Sequence, residues 1–266
     1  MGTTTGISWT DSTFNPWVGC TKLGPGCDAC YAEALDARFE LAGSPHWGPG
    51  VERYRTKDWR KPGKWNADAA RNGKRHLVFC ASMSDVFDNE VPAQWRADLF
   101  LLIKATPRLT WQLVTKRIGN AARMLPSDWG HGYPYVWLIA TIVNQEEADR
   151  ELPKLLRVPA RVHGVSYEPA LGPVDWTPWL AQGLDWIIVG GESAQPGHVP
   201  RQFNLEWARS TVAQCHAAGA YAFVKQLGAR PSPRLELTDR KAGANIAEWP
   251  AELQVREFPP LDLESR

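Results

Sequence analysis

Residues 186–193 read Trp-Ile-Ile-Val-Gly-Gly-Glu-Ser, an unbroken apolar run that ends on two glycines and then on charge. A strand buried on both faces reads as a continuous β-branched or aromatic run, not as an alternation of apolar and polar residues. The same form recurs in Leu77–Ala81, Trp111–Thr115, Tyr135–Thr141, Arg161–Ser166 and Ala220–Lys225, and Ile7–Trp9 is a candidate for a short first strand. Helical patterns lie between these runs. They are Ala29–Leu41, Ala93–Lys104, Asn144–Leu156 with Asn144 placed as an N-cap, and Leu205–Ala218, which stops at Gly219. Repeated strand–helix units predict a parallel sheet with helices on its faces. Six or seven such units predict an α/β fold of the (β/α) barrel or partial-barrel type, not a short flavodoxin-like sheet.

Two stretches interrupt the alternation. Residues 43–76 are rich in Gly, Pro, Trp and basic groups, and residues 229–266 carry prolines at 231, 233, 250, 259 and 260. The expected organisation is therefore one barrel-like domain over 1–228, with a basic, Trp-rich insertion at 43–76, and a C-terminal extension over 229–266 that packs on it or stays partly disordered. The 266 residues suffice for a large core, and the net charge of +1 excludes a globally polyanion-binding chain. No apolar run reaches the roughly 18 residues of a transmembrane helix. The opening MGTTTGISWTDS has neither the basic nor the apolar region of a signal peptide. The expectation is a cytoplasmic protein without membrane contact, in which five cysteines are ligands or buried thiols and not disulfides.

The chemistry is announced by Cys20-Thr-Lys-Leu-Gly-Pro-Gly-Cys27-Asp-Ala-Cys30-Tyr31. Six residues separate the first two cysteines and two separate the last pair. Gly24, Pro25 and Gly26 tighten the loop, and a helix begins near its end. Three thiolates on one loop can hold three irons of a four-iron cluster and leave the fourth iron open to a small molecule. Zinc is the competing metal; a closed zinc site needs a fourth ligand, for which Cys80 and His46 are the candidates. Three unrelated thiols in a turn is the remaining reading.

Trp9-Thr10-Asp11, Asn15-Pro16-Trp17, Gly19-Cys20-Thr21-Lys22, Pro25-Gly26-Cys27 and Cys30-Tyr31-Ala32 together resemble the opening of a phage-encoded three-cysteine-motif family. The likeness continues through Ser82-Met83-Ser84-Asp85, Thr115-Lys116-Arg117, Glu168-Pro169, Leu171-Gly172-Pro173, Gly190-Gly191-Glu192-Ser193, Lys225-Gln226, Asp239-Arg240-Lys241-Ala242-Gly243 and Glu248-Trp249-Pro250. That family is in turn distantly similar to radical S-adenosylmethionine enzymes related to spore photoproduct lyase, whose usual cysteine spacing is three residues and then two. The resemblance implies a bacteriophage protein in a bacterial host and a radical-SAM-like fold. It also implies a [4Fe–4S] cluster on Cys20, Cys27 and Cys30, with S-adenosylmethionine at the open iron. Cleavage of the sulfonium would release a 5′-deoxyadenosyl radical that abstracts hydrogen from a substrate. Tyr31 matches an aromatic that lies near the adenine in that superfamily. The family is often encoded beside a dedicated partner protein.

In barrel enzymes the working residues sit at the carboxyl ends of the strands. Ser82, Ser84 and Asp85 are candidates for gripping the cofactor's methionyl group, and Lys116 and Arg117 for holding its carboxylate or a substrate phosphate. Glu192 is a candidate for gripping a ribose or accepting a proton. The catalytic candidates are Lys116, Glu168, Glu192 and Lys225. Residues 52–75 carry nine Lys or Arg against three acids, a local balance of +6, with Tyr54, Trp59 and Trp65 interleaved. Basic groups neutralise phosphates and aromatics stack on bases, so this segment reads either as a surface for a nucleotide or nucleic acid or as a solvated lid whose aromatics pack on the barrel. The expected activity is that of a radical enzyme, with nucleotide or nucleic-acid modification as its field. The alternative is a non-catalytic nucleic-acid or partner-binding module whose metal, zinc or iron–sulfur, is structural.

Overall fold

The computed structural model describes residues 5–39, 43 and 45–261. Seven strands form one sheet: β1 (Ser12–Thr13), β2 (His76–Cys80), β3 (Leu109–Thr115), β4 (Val136–Thr141), β5 (Val162–Tyr167), β6 (Trp186–Gly190) and β7 (Tyr221–Gln226). Every neighbouring pair is parallel, and the spatial order is the chain order. A doubly wound sheet reverses its order at a switch point. A sheet that never reverses, with right-handed crossovers throughout, keeps its helices on one side and curls. The result is a partial (β/α) barrel, as expected from the sequence.

The helices are α1 (Tyr31–Phe39), α2 (Lys61–Asn72), α3 (Ala93–Ala105), α4 (Ile118–Met124), α5 (Gln145–Leu156), α6 (Thr177–Leu180) and α7 (Leu205–Ala218). Alternate strand residues face opposite sides. Val78, Leu113, Leu138, Val165, Ile187 and Val224 join the large core beneath the helices. Leu77, Phe79, Trp137, Ile139, Trp186, Ile188 and Phe223 face inward and form a second apolar cluster, joined by Trp9 and Val162. This two-sided burial is why the strands read as continuous apolar runs.

Most elements lie within one or two residues of their expected bounds. α5 is capped as its sequence predicts, with the Glu147 N–H donating to Asn144 Oδ1 at 3.0 Å. α7 ends on Gly219 at φ +70°, a left-handed position that a glycine adopts without strain. The helix expected over 29–41 begins at Tyr31, and its last two positions, 40 and 41, lie outside the described residues. Ile7–Trp9 forms no strand. The Thr10 N–H turns back to the Ile7 carbonyl, and Trp9 instead packs on Phe79 at 4.8 Å and edge-on to Trp186 at 6.3 Å. The segment 43–76 contains α2 and the short strand Tyr54–Arg55, which pairs antiparallel with Trp17–Val18.

The residues after β7 cover the sheet's far edge and its amino-terminal end. Phe223 and Arg256 form an antiparallel bridge, the Val224 N–H donates to the Val255 carbonyl, and Phe258 lies 5.6 Å from Trp186 and 5.2 Å from Phe223. Positions 1–4 and 262–266 of the two expected segments lie outside the described residues.

Candidate cofactor and active site

The carboxyl ends of the strands open on a cavity of about 320 Å³. Trp9 and Phe79 form its floor, and the 20–30 loop forms one wall with Cys20, Cys27 and Cys30. Facing the cysteines are Ser82 and Ser84 after β2, Lys116 after β3, Glu168 after β5, Glu192 after β6 and Lys225 within β7. Tyr31 and Asp85 also line it, so one cavity collects every expected site residue except Arg117.

Two arginines hold the cysteine loop from opposite sides. Arg117, buried behind the cavity wall, donates through Nη1 to Cys20 Sγ at 3.1 Å and through Nη2 to the Thr21 carbonyl at 2.6 Å. Arg201 donates through Nη1 to the Pro25 carbonyl and to Asp28 Oδ2, both at 3.0 Å, and pairs with Glu192 through Nε and Nη2. Between these anchors the loop lies on the end of β4, where a Cβ added to Gly26 would come within 2.8 Å of Val143 Cγ1. Burial pushes the Cys20 thiol up to about 12; Asp85 adds to the rise and Arg117 opposes it. At neutral pH this favours the protonated thiol.

Asp85 is the hub of the β2 and β3 ends. Its Oδ1 accepts from Thr115 Oγ1 at 2.7 Å and from the Phe87 N–H at 2.9 Å, and its Oδ2 accepts from the Lys116 N–H at 2.9 Å. It is saturated by its own chain and fixes the Lys116–Arg117 turn. Arg117, spent on Cys20 and Thr21, is likewise a holder of the loop. Both charges are buried and find partners within the fold.

Ser82 is placed by Asn15, whose Oδ1 accepts from the Ser82 and Met83 N–H groups at 2.8 and 2.9 Å. Tyr31 donates its hydroxyl to the Ser82 carbonyl at 3.0 Å. The Ser84 hydroxyl is buried on the cavity wall without a hydrogen-bond partner among the described residues. Lys116 is exposed, and its ammonium makes no hydrogen bond or ion pair among the described residues. Lys225 Nζ lies 2.9 Å from Glu168 Oε1, an ion pair across the ends of β5 and β7. Both Glu192 oxygens are engaged, Oε2 by His198 Nε2 at 2.9 Å and by the Arg201 N–H at 2.8 Å. Burial pushes the Glu192 carboxyl up, but Arg201 and His198 outweigh it and the net direction is down.

Sequence reasoning missed Arg201, His198 and Asn15. Asn15 stands inside a quoted motif, whereas Arg201 lies 173 positions from the Asp28 it binds and carries no local signal.

Among the described residues no group of three or more His, Cys, Asp or Glu side chains is gathered as a metal site. The donor chemistry nevertheless fits an iron–sulfur cluster: three free cysteines on one cavity wall. Of the two candidate fourth zinc ligands, Cys80 is buried in the outer core and does not line the cavity, whereas His46 bonds Asp36 Oδ1 through Nδ1 at 2.8 Å and keeps Nε2. The basic segment is also largely spent. Arg53 is buried against Asp88 and Glu90, Arg55 pairs with Asp98 and covers Trp59 at 4.3 Å, and Arg75 bonds Thr110. Trp65 is buried and Trp59 packs on the core, so neither offers a face for base stacking. Lys57, Arg60, Lys64 and Lys74 stay exposed.

The chain belongs to the family described as "Protein of unknown function (DUF5131)", which matches residues 4–250. No curated protein matches it. Among solved structures, a cysteine-to-serine mutant of spore photoproduct lyase aligns with a TM-score of 0.51 at 13% identity, over 84% of this chain and 78% of that one. A double mutant of the same enzyme with bound AdoMet and dinucleoside spore photoproduct aligns with a TM-score of 0.49 at 12% identity, over 78% of this chain and 74% of that one. A tyrosine-to-phenylalanine mutant aligns with a TM-score of 0.44 at 14% identity, over 71% of this chain; the match spans about half of that protein, 54%. The 0.51 alignment shows a shared partial-barrel fold. No helix among the described residues is long and apolar enough to cross a membrane.

Proposed function

We propose that this chain is a radical S-adenosylmethionine enzyme that holds a [4Fe–4S] cluster on Cys20, Cys27 and Cys30. One observation carries the reading: these three cysteines, and neither Cys80 nor Cys215, open on the cavity at the carboxyl end of a parallel partial barrel, facing the polar residues that end its strands. When bound, the cluster would supply an open iron for the cofactor and the electron that cleaves its sulfonium to a 5′-deoxyadenosyl radical.

The chain's own residues supply orientation and exclusion of water. Tyr31, held through its hydroxyl, sets a ring beside the last cysteine for the adenine. The unpartnered Ser84 hydroxyl, with Ser82 beside it, is a ready acceptor or donor for the methionyl ammonium or carboxylate. Lys116 offers a free cation to that carboxylate or to a substrate phosphate. Arg117, Asp85 and Glu192 position the walls: Arg117 binds Cys20, Asp85 fixes the turn that carries Arg117, and Glu192 holds Arg201 on the loop. Glu168 and Lys225, paired at 2.9 Å, are the groups able to exchange a proton with a substrate above Trp9 and Phe79. The field of action is a nucleotide or nucleic acid, in a phage-encoded protein of the bacterial cytoplasm. Residues 1–228 are the working body, and 229–266 are an extension whose described part, to 261, packs on it.

The test is anaerobic expression with iron and sulfide analysis, followed by electron paramagnetic resonance with and without S-adenosylmethionine. About four irons per chain, and a spectrum that shifts on addition of S-adenosylmethionine, are expected. Stoichiometric zinc without iron would overturn the proposal and leave a structural metal in its place.

A further inference from the structure

A second cavity, of about 600 Å³, lies beside the first and has no part in the chemistry above. Apart from Gln202, its lining comes from the chain that follows β7. Pro231–Ser232 pairs in parallel with Phe203–Asn204, and this pairing holds its rim to the barrel. The two cavities are separated by a wall of two closely packed backbone segments. Gly191 lines the first and Gly228 the second, and a Cβ on Gly191 would meet Gly228 Cα at 2.9 Å. The same wall continues through the Ala229 N–H, which donates to the Glu192 carbonyl at 2.9 Å.

Three arginines line the second cavity. Arg230 spends one nitrogen on the Pro200 carbonyl at 3.1 Å. The side chains of Arg234 and Arg240 make no hydrogen bond or ion pair among the described residues. Two acids are present. Asp239 is turned into its own loop, where it accepts from the N–H groups of Lys241, Ala242 and Ala244 at 3.0–3.2 Å. Glu236 makes no hydrogen bond or ion pair among the described residues. Pro231, Leu235 and Leu237 supply an apolar side. Guanidinium groups bind phosphate through two parallel N–H bonds, which gives direction as well as charge. A concave site with unpaired guanidinium groups, an apolar wall and room for far more than an inorganic ion suits an organic phosphate.

We propose that the second cavity binds the phosphate ester of the substrate, through Arg230, Arg234 and Arg240, while the reacting part enters the first cavity across the Gly191–Gly228 wall. The placement of the reacting part rests on the radical-enzyme reading; the phosphate site does not. A free nucleotide and a nucleic-acid strand present the same group.

The test is fluorescence anisotropy of a labelled single-stranded DNA oligonucleotide on the full chain, with adenosine 5′-monophosphate as competitor. The oligonucleotide is expected to bind, and Arg234→Ala/Arg240→Ala to weaken it by at least about tenfold, the loss of one or two charge-assisted bonds. The double variant should melt as the parent does, because both side chains are exposed. Lys57→Ala/Lys64→Ala on the basic segment should leave competition by the mononucleotide unchanged. Competition at matching affinity points to a free nucleotide, and its failure to a strand; either supports the site. An arginine double variant that binds as tightly as the parent, or a parent that binds neither probe, overturns it. Cys20→Ser/Cys27→Ser/Cys30→Ser separates the two proposals. Iron should vanish while arginine-dependent binding persists, so a chain that never carries iron would sink the cluster and leave the phosphate site standing.

Discussion

Replacing Arg201 with Met should release the cysteine loop from the barrel. The guanidinium makes four hydrogen bonds to three partners, of unequal weight. Asp28 has 57% of its side chain exposed, so its ion pair at 3.0 Å contributes little, about 0.2–1 kcal/mol. The Pro25 carbonyl is a neutral acceptor at 3.0 Å, a contribution of about 0.5–1.5 kcal/mol. Glu192 is 6% exposed and loses its two side-chain donors from Arg201, a loss of about 1.5–3 kcal/mol, lessened because Arg201 itself is 29% exposed. The loss comes to about 3 kcal/mol, and at about 2–4 °C per kcal/mol the melting midpoint should fall by about 6–12 °C. The sign with pH follows from the carboxyl. In the parent the net shift of Glu192 is downward, so its stabilisation is present above the usual carboxylate range and fades as pH falls through the lowered value. In Arg201→Met the side-chain donors are gone, so the carboxyl moves upward from its place in the parent, and the variant's deficit should narrow on mild acidification. Thermal melts of the apo protein from pH 4 to 8 read both effects, and Glu192→Gln together with Arg201→Met completes a double-mutant cycle. A coupling below about 0.5 kcal/mol, the ordinary scatter of independent sites, would refute the reasoning.

Arg117→Met removes the donor to Cys20 Sγ and to the Thr21 carbonyl, so reconstituted protein should bind iron less completely and its cluster should titrate at a lower potential in an electron paramagnetic resonance redox titration; an unchanged potential would mean that the 3.1 Å contact does not reach the cluster. Trp9→Ala should destabilise the protein by about 3–5 kcal/mol in urea unfolding, because it empties the barrel floor. Trp9→Phe should stay within about 1.5 kcal/mol, since the indole N–H has no hydrogen-bond partner to lose. Gly191→Ala should reduce stability by about 1–3 kcal/mol, because its Cβ would stand 2.8 Å from the Leu227 carbonyl and 2.9 Å from Gly228 Cα, both backbone; a variant as stable as the parent would show that the two loops can part.

The sheet was legible because its physics is local. Trp186–Gly190 and Leu77–Cys80 are buried on both faces, and that alone gives a run of β-branched and aromatic residues. The capped helices were legible for the same reason: Asn144 and Gly219 act on their own turns. α2 was hidden, since only Pro62, Trp65 and Ala69 of its twelve residues are buried and Gly63 breaks its pattern. Trp9 misled as a strand residue because an apolar residue near a strand reads the same whether it extends the sheet or plugs it. At the site, the strand-end rule found the residues that line the cavity. It could not separate those left free, such as Ser84 and Lys116, from those consumed by the fold, such as Asp85 and Arg117. That distinction is made by partners 30 to 100 positions away.

The floor of the barrel is assembled from distant parts of the chain: Trp9 and Phe258 both pack on Trp186. A polypeptide emerges from the ribosome at about 5–20 residues per second. Trp9 therefore waits on the order of ten seconds or more for its indole neighbour and several seconds longer for the phenylalanine that seals it. Until then the inner apolar face of β6 and β7 is uncovered, and contacts of such long sequence separation form slowly. A chain shortened before Val255 would keep every residue of the proposed site and still expose this face, so its expected failing is aggregation during synthesis, before any loss of chemistry.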